Sequence, residues 1–193
     1  MIKRDKISLI LGIHCHQPVG NFGWVIEDAY QKCYRPFLDV LYKYPSIKFA
    51  AHYSGPLLEW IEVNHPEYFE LVREMVRRGQ LEIMGGGFYE PILMIIPEKD
   101  RQDQIRRMND YAEKHLGMRP KGVWLTERIW EPTLPKTLAL ADVKYTVADD
   151  SHFVQAGIDR SNVRGYYTTE DEGHTVSVIP IDQHLRYARS EER

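Results

Sequence analysis

The chain has 193 residues, a formal net charge of −3, 43% hydrophobic and 27% charged residues, the profile of an ordinary globular protein long enough for one large core. That balance excludes the basic footprint that nucleic acid requires, and no apolar run approaches the ~20 residues of a membrane span. Two cysteines, Cys15 and Cys33, give neither a disulfide framework nor a metal-ligand pair, so a reduced, cytoplasmic setting is the simpler reading.

The charged start, Met1 to Lys6, precedes an apolar run of only Ile7 to Ile13. That run meets histidines and Gln17 rather than a small-residue cleavage site, so no signal peptide is expected. Being short and continuous, it reads as a strand covered on both faces. It ends in His14-Cys15-His16-Gln17-Pro18, where period-two alternation points His14 and His16 the same way. After the loop 20–23, Ala29, Cys33, Phe37, Val40 and Leu41 at helical spacing predict a helix over 25–44, with Pro36 able to kink or split it.

A second strand, 47–53, leads into Ser54-Gly55-Pro56, where Ser54 or Gly55 can cap a helix starting near Pro56. Asn64-His65-Pro66 breaks that helix, and the next runs to Arg78 with Phe69, Val72 and Met75 inward. Arg77, Arg78 and Gly79 suit its C-terminus. The third strand, 81–84, enters Gly85-Gly86-Gly87-Phe88-Tyr89-Glu90-Pro91, whose glycines permit either a sharp turn or a close approach to the backbone. A helix opening at Pro97 keeps Ile105, Met108, Ala112 and Leu116 on one face as far as Gly117. The fourth strand is the apolar Val123-Trp124-Leu125, which stops at Thr126-Glu127-Arg128-Ile129-Trp130. A helix over 132–141 and a fifth strand, 145–148, follow. That strand ends in Asp149-Asp150-Ser151-His152-Phe153. A sixth strand, 175–181, is expected to pair with 165–168, and 188–193 adds none.

Strands alternating with helices imply an α/β fold with a parallel sheet. Polar clusters follow strand after strand, which favours a barrel with its site at the C-terminal strand ends. An open doubly wound sheet is the runner-up, but no Gly-rich phosphate fingerprint follows the first strand. A full parallel barrel has about eight βα units, and this chain offers five to six. The barrel is expected to be incomplete, with residues 1–193 as one portion and no second domain.

Glu127 is either a helix-start carboxylate paired with Arg128 or a functional group walled by Trp124 and Trp130. As a nucleophile it must be ionised, which Arg128 nearby would favour. His14 and His16 share a face, so they suit sugar hydroxyls, or a metal completed by Asp149, Asp150 or His152. Glu82 alternates away from Leu81 and Ile83, toward a barrel lumen or toward solvent. Glu90 is a weaker candidate, sufficiently explained as a loop cap. Asp149 and Asp150 are adjacent, so extended geometry sends them opposite ways. Trp24, Phe88, Trp124 and Trp130 stand near enough to the polar clusters to stack on a sugar ring.

Together these residues resemble glycoside hydrolase family 57, and within it the 4-α-glucanotransferase and α-amylase-like members. The resemblance rests on Gly12 to Pro18 with Gly20 to Trp24, on Gly79 to Ile83 with Phe88 to Pro91, and on Gly122 to Pro132. It implies the N-terminal part of a (β/α)7 pseudo-TIM barrel that acts on α-1,4-glucans with retention of configuration and needs no cofactor or metal. It assigns the nucleophile to Glu127 and the grip on the reacting sugar to His14, His16, Glu82 and Trp124, with His152 as a looser match. An α-glucan or maltooligosaccharide is the implied partner, and open barrel edges imply self-association. The family's acid/base aspartate lies in a His-Asp-Asp-Gly-like segment that these 193 residues do not contain. Little turnover is therefore expected of the chain alone. Two other readings remain: a non-catalytic or partner-dependent glucan-binding fragment, and a metal-dependent carbohydrate deacetylase using Asp149 or Asp150 with histidines.

Overall fold

The computed structural model describes residues 8–188. The charged start, Ile7 and residues 189–193 lie outside it, and with them the readings made on those segments. Strand β1 (Gly12–Cys15) pairs in parallel with β2 (Phe49–Tyr53), and β2 with β3 (Leu81–Met84). A second sheet has the order β4-β5-β7-β6, from β4 (Gly122–Val123), β5 (Tyr145–Asp149), β6 (Tyr167–Asp171) and β7 (His174–Ile181). All its pairings are parallel except β6 with β7. The two sheets join at Gly85, whose N–H donates to Gly122 O at 2.8 Å and whose carbonyl accepts from Trp124 N at 2.8 Å. This run of parallel strands with intervening helices is part of a (β/α)-type barrel, as expected; the last two strands do pair as a hairpin, but the partner strand is Tyr167–Asp171 rather than 165–168, with Tyr167 opposite Val178 and Asp171 opposite His174.

The first strand starts later than its hydrophobicity suggests. Leu9 and Ile10 are 76% and 63% exposed and lie before β1, at the open edge of the first sheet. A run expected to be covered on both faces is therefore uncovered, because among the described residues β1 is paired with β2 alone.

The helix after β1 also departs from expectation. It begins as α1 (Gly23–Ala29), passes through a π-helical turn over Tyr30–Tyr34, and continues as α2 (Arg35–Tyr42). The buried residues are Ile26, Tyr30, Tyr34, Leu38 and Leu41, whereas Cys33 and Val40 face solvent. The π turn supplies the reason. One extra residue per turn shifts the inward face off the 3.6 period, just ahead of Pro36, whose ring and missing N–H disturb the helical ladder.

The remaining helices follow their patterns. Helix α3 (Gly55–Asn64) has Ser54 at its N-cap, although no side-chain cap forms. The Ser54 hydroxyl instead accepts from Gln17 N at 3.1 Å and donates to Gln17 O at 3.2 Å, tying the end of β1 to that of β2. Helix α4 (Pro66–Arg77) buries Phe69, Val72 and Met75, and α5 (Glu98–Leu116) buries Ile105, Met108, Ala112 and Leu116. Helix α6 (Leu134–Leu140) covers the second sheet, α7 (Asp150–Gln155) follows β5, and α8 (Gln183–Ala188) ends the described chain. One apolar core gathers the first three strands with α1 to α5, including Tyr53, Leu58, Phe69 and Ile83. A second gathers Val123, Leu125, Leu138, Ala148 and Val178 under α6 and α7.

Candidate active site

The C-terminal ends of β1, β3 and β4 converge on one cavity of about 410 Å³, whose walls include His14, His16, Glu90, Trp124, Thr126 and Glu127. Strand register explains part of this convergence. His14 sits beside His52 in the β1–β2 pairing, and their Nδ1 atoms lie 2.8 Å apart. His52 is wholly buried, which requires the neighbouring backbone to carry no side chain. A Cβ on Gly86 would fall 2.6 Å from His52 Nε2. Of the two roles open to the glycines after β3, close approach is the one seen at Gly86.

Glu90 follows on the same loop with a left-handed backbone, φ 51°. Its side chain is 3% exposed and faces three imidazoles. It meets His16 Nδ1 directly, while Oε1 stands 3.6 Å from His14 Nε2 and 3.4 Å from His52 Nδ1. Neither Glu90 Oε1 nor His52 Nε2 has a hydrogen-bond partner among the described residues. The Trp124 indole lies parallel to the His14 ring, with centroids 4.6 Å apart and planes at 17°.

Burial favours the neutral form of these imidazoles. Burial, then His16 and Arg128, bring the His14 pKa down to about 4. Burial also lowers His16, against the opposing pull of Glu127, and lowers His52 well below the usual histidine range, with His14 and His16 adding to it. A neutral imidazole has one donor and one acceptor nitrogen, which suits hydroxyl groups as well as metal ions.

Glu127 lines the same cavity from a short 3₁₀ turn over Thr126–Arg128. Both Glu127 (φ 54°) and Arg128 (φ 56°) occupy the left-handed region, which costs a non-glycine residue about 1–2 kcal/mol. Arg128 is not the partner of Glu127. Its Nε donates to both oxygens of Asp149 at 3.1 and 3.0 Å, and Arg186 reaches the same carboxylate at 3.1 Å. The turn is thus fastened from β5, and the Glu127 side chain lines the cavity.

The remaining sequence candidates fall elsewhere. Glu82 lies one strand layer below His52, half-buried, and accepts a 2.6 Å hydrogen bond from the Tyr145 hydroxyl. The Tyr145 ring crosses the backbone at Gly122, where a Cβ would overlap it. Glu82 is therefore within the sheet interior but apart from the cavity walls. His152, on α7, lines a separate cavity of about 210 Å³ with Trp130, Phe153 and Tyr167. Asp150 is buried and accepts from Arg160 at 2.9 Å, so the two aspartates do face different partners and neither joins the histidines. Phe88 is a core residue and Trp24 an exposed one. The group undervalued from sequence is Glu90, together with His52. A histidine inside the otherwise apolar Phe49–Tyr53 is the signal that could have drawn attention to it.

Comparison with known proteins supplies the lineage. The model for glycosyl hydrolase family 57 matches residues 10–190. An alpha-amylase from Pyrococcus furiosus is 54% identical over 183 residues, covering 95% of this chain and 28% of that protein. A 4-alpha-glucanotransferase from Thermococcus litoralis is 53% identical with the same coverage. The crystal structure of 4-alpha-glucanotransferase from Thermococcus litoralis superposes with a TM-score of 0.91 and 52% identity, over 95% of this chain and 29% of that one. A putative polysaccharide deacetylase from Mycobacterium smegmatis, at 17% identity and a TM-score of 0.57 over 78% of this chain and 46% of that one, shares the fold alone. The chain spans between a quarter and a third of the length of the curated relatives it matches.

Proposed function

The chain belongs to glycosyl hydrolase family 57 and folds as part of a (β/α)7-type barrel, and on that premise we propose that its cavity grips the reacting sugar of an α-1,4-glucan. Glu127 is the nucleophile of a retaining reaction, 4-α-glucan transfer or hydrolysis, within the portion of the catalytic barrel that residues 1–193 represent. The observation that carries this reading is the placement of Glu127. It is a carboxylate at the end of a barrel strand, held in a strained turn, lining one cavity with two imidazoles and an indole. His14 and His16 offer donors and acceptors to sugar hydroxyls, and Trp124 provides an aromatic wall. Glu82 acts at one remove, through Tyr145, and His152 lines a separate, mostly apolar cavity.

In the first half of a retaining reaction the carboxylate attacks the anomeric carbon, and a second carboxyl about 5 Å away protonates the departing oxygen. Asp149 is committed to two arginines and Glu90 to histidines, so neither is placed for that proton transfer. Among the described residues the proton donor is therefore unassigned, and glucan binding by this portion of the barrel stands as the second reading. Unpaired Cys15 and Cys33 accord with a cytoplasmic setting, and no helix among the described residues is long and apolar enough to cross a membrane. The uncovered edge before β1 supports association with a second copy.

An activated donor isolates the step that Glu127 performs. Fluoride leaves without a proton, so α-maltosyl fluoride removes the need for an acid. The expected result is a burst of fluoride stoichiometric with protein, followed by slow release, and no burst in Glu127→Gln. A burst that persists in that variant, or its absence from the folded parent chain, contradicts the assignment.

A further inference from the structure

We propose that the cavity between α7 and the β6–β7 hairpin binds a small, neutral aromatic molecule of one or two fused rings. It lies on the other side of β5 from the Glu127 cavity, and the two share no lining residue. Alternation along the strand separates them. Tyr145 and Asp149 point inward, to Glu82 and Arg128, whereas Ala148 points outward and forms part of this second wall with Val178. Trp130, Phe153 and Tyr167 supply three rings. The Phe153 and Tyr167 centroids are 5.0 Å apart with planes at 49°, an angle that offers a further ring both a face and an edge. The cavity measures about 210 Å³. An apolar cavity of about 150 Å³ takes up benzene, so a molecule of indole size fits here.

The chemistry of the wall selects the occupant. Among the described residues no carboxylate, lysine or arginine lines it, so a charged ligand would lose its water without compensation. The Tyr167 hydroxyl is already committed, donating to Asn162 O at 2.7 Å. The polar side-chain groups that remain are those of His152, Thr168 and Thr169 and the Trp130 indole N–H. A sugar ring carries hydroxyls around its whole edge, more than these groups satisfy, and each one buried unpaired is costly. An aromatic ring with a single N–H or hydroxyl needs one partner, and the His152 ring serves as donor or acceptor. Entry is from solvent, because Ala156 and Thr168 at the wall are exposed. The occupant would rest against Trp130, on the segment that continues from the Glu127 turn, without entering the cavity that Glu127 lines.

The inference rests on the walls of this cavity and not on the assignment of Glu127, and its test uses no glucan donor. Indole is titrated into the purified chain by calorimetry, and its contacts are read from nuclear Overhauser effects on the indole protons. Saturable one-to-one binding is expected, with a dissociation constant of about 1 mM or below. Cross-peaks should reach the Ala148 and Val178 methyl groups, and maltose should not displace the indole. Ala156→Phe, at an exposed position, places a ring in the cavity and should weaken binding by more than about tenfold, with an unchanged circular-dichroism spectrum. The cross-peaks of the parent chain decide the matter if that variant fails to fold. No saturable binding, cross-peaks to other residues only, binding that Ala156→Phe leaves intact, or displacement by maltose overturns the proposal.

Discussion

Glu127 and Arg128 are two consecutive non-glycine residues at φ 54° and 56°, and such a pair persists only when its surroundings hold it. Here the fastening comes from the end of the next strand: Asp149, which accepts from both Arg128 and Arg186. Asp149 thereby acts as a positioning residue for Glu127. Replacing it by asparagine removes the charge that makes those hydrogen bonds strong. Asp149→Asn should slow the fluoride burst by about tenfold, an effect of about 1.4 kcal/mol on the barrier, while the melting temperature moves little. An unchanged burst rate would detach Asp149 from Glu127. From sequence, Glu127 was legible because a carboxylate interrupts an apolar strand between two tryptophans. Glu90 was not, since its importance lies in contacts with His14, His16 and His52, brought in by two other strands.

At the scale of elements, the site depends on how closely the loop after β3 approaches β2. Gly86 leaves room for the His52 ring, and a methyl group there would stand 2.6 Å from its Nε2 and 3.2 Å from the Trp124 carbonyl. Overpacking of this kind typically destabilises by about 1–3 kcal/mol. Gly86→Ala is therefore expected to lower the midpoint of urea unfolding with no change in its slope. A neutral result would mean that the loop can retreat without consequence. The alternation of strand and helix, and the inward faces of α4 and α5, were readable because their apolar residues keep regular periods. The face of the α1–α2 helix was not, because the π turn at Tyr30–Tyr34 inserts a residue that no 3.6-period template includes. The start of β1 was misplaced for a different reason. Hydrophobicity marks what a segment can bury, and here Leu9 and Ile10 have no described neighbour to bury them.

For the whole molecule, the parallel strands form part of a barrel with an open flank at β1. An exposed strand edge with apolar residues beside it promotes pairing between chains. Sedimentation velocity over a range of concentrations should show association of the parent chain, and Ile10→Lys should reduce it. A parent chain that stays monomeric throughout removes self-association from the account. The barrel class was legible in the sequence because polar clusters recur at strand ends. The division of the site into the Glu127 cavity and the separate His152 cavity was not, since it depends on which ends meet in space. The central claim is that Glu127 takes a sugar covalently. A 5-fluoro-α-glucosyl fluoride, whose ester is hydrolysed slowly, followed by intact-mass and peptide analysis, tests it most directly. The account predicts one glycosyl adduct per chain, on the peptide containing Glu127, and none in Glu127→Gln. An adduct on a different carboxylate, or no adduct on the folded chain, would contradict it.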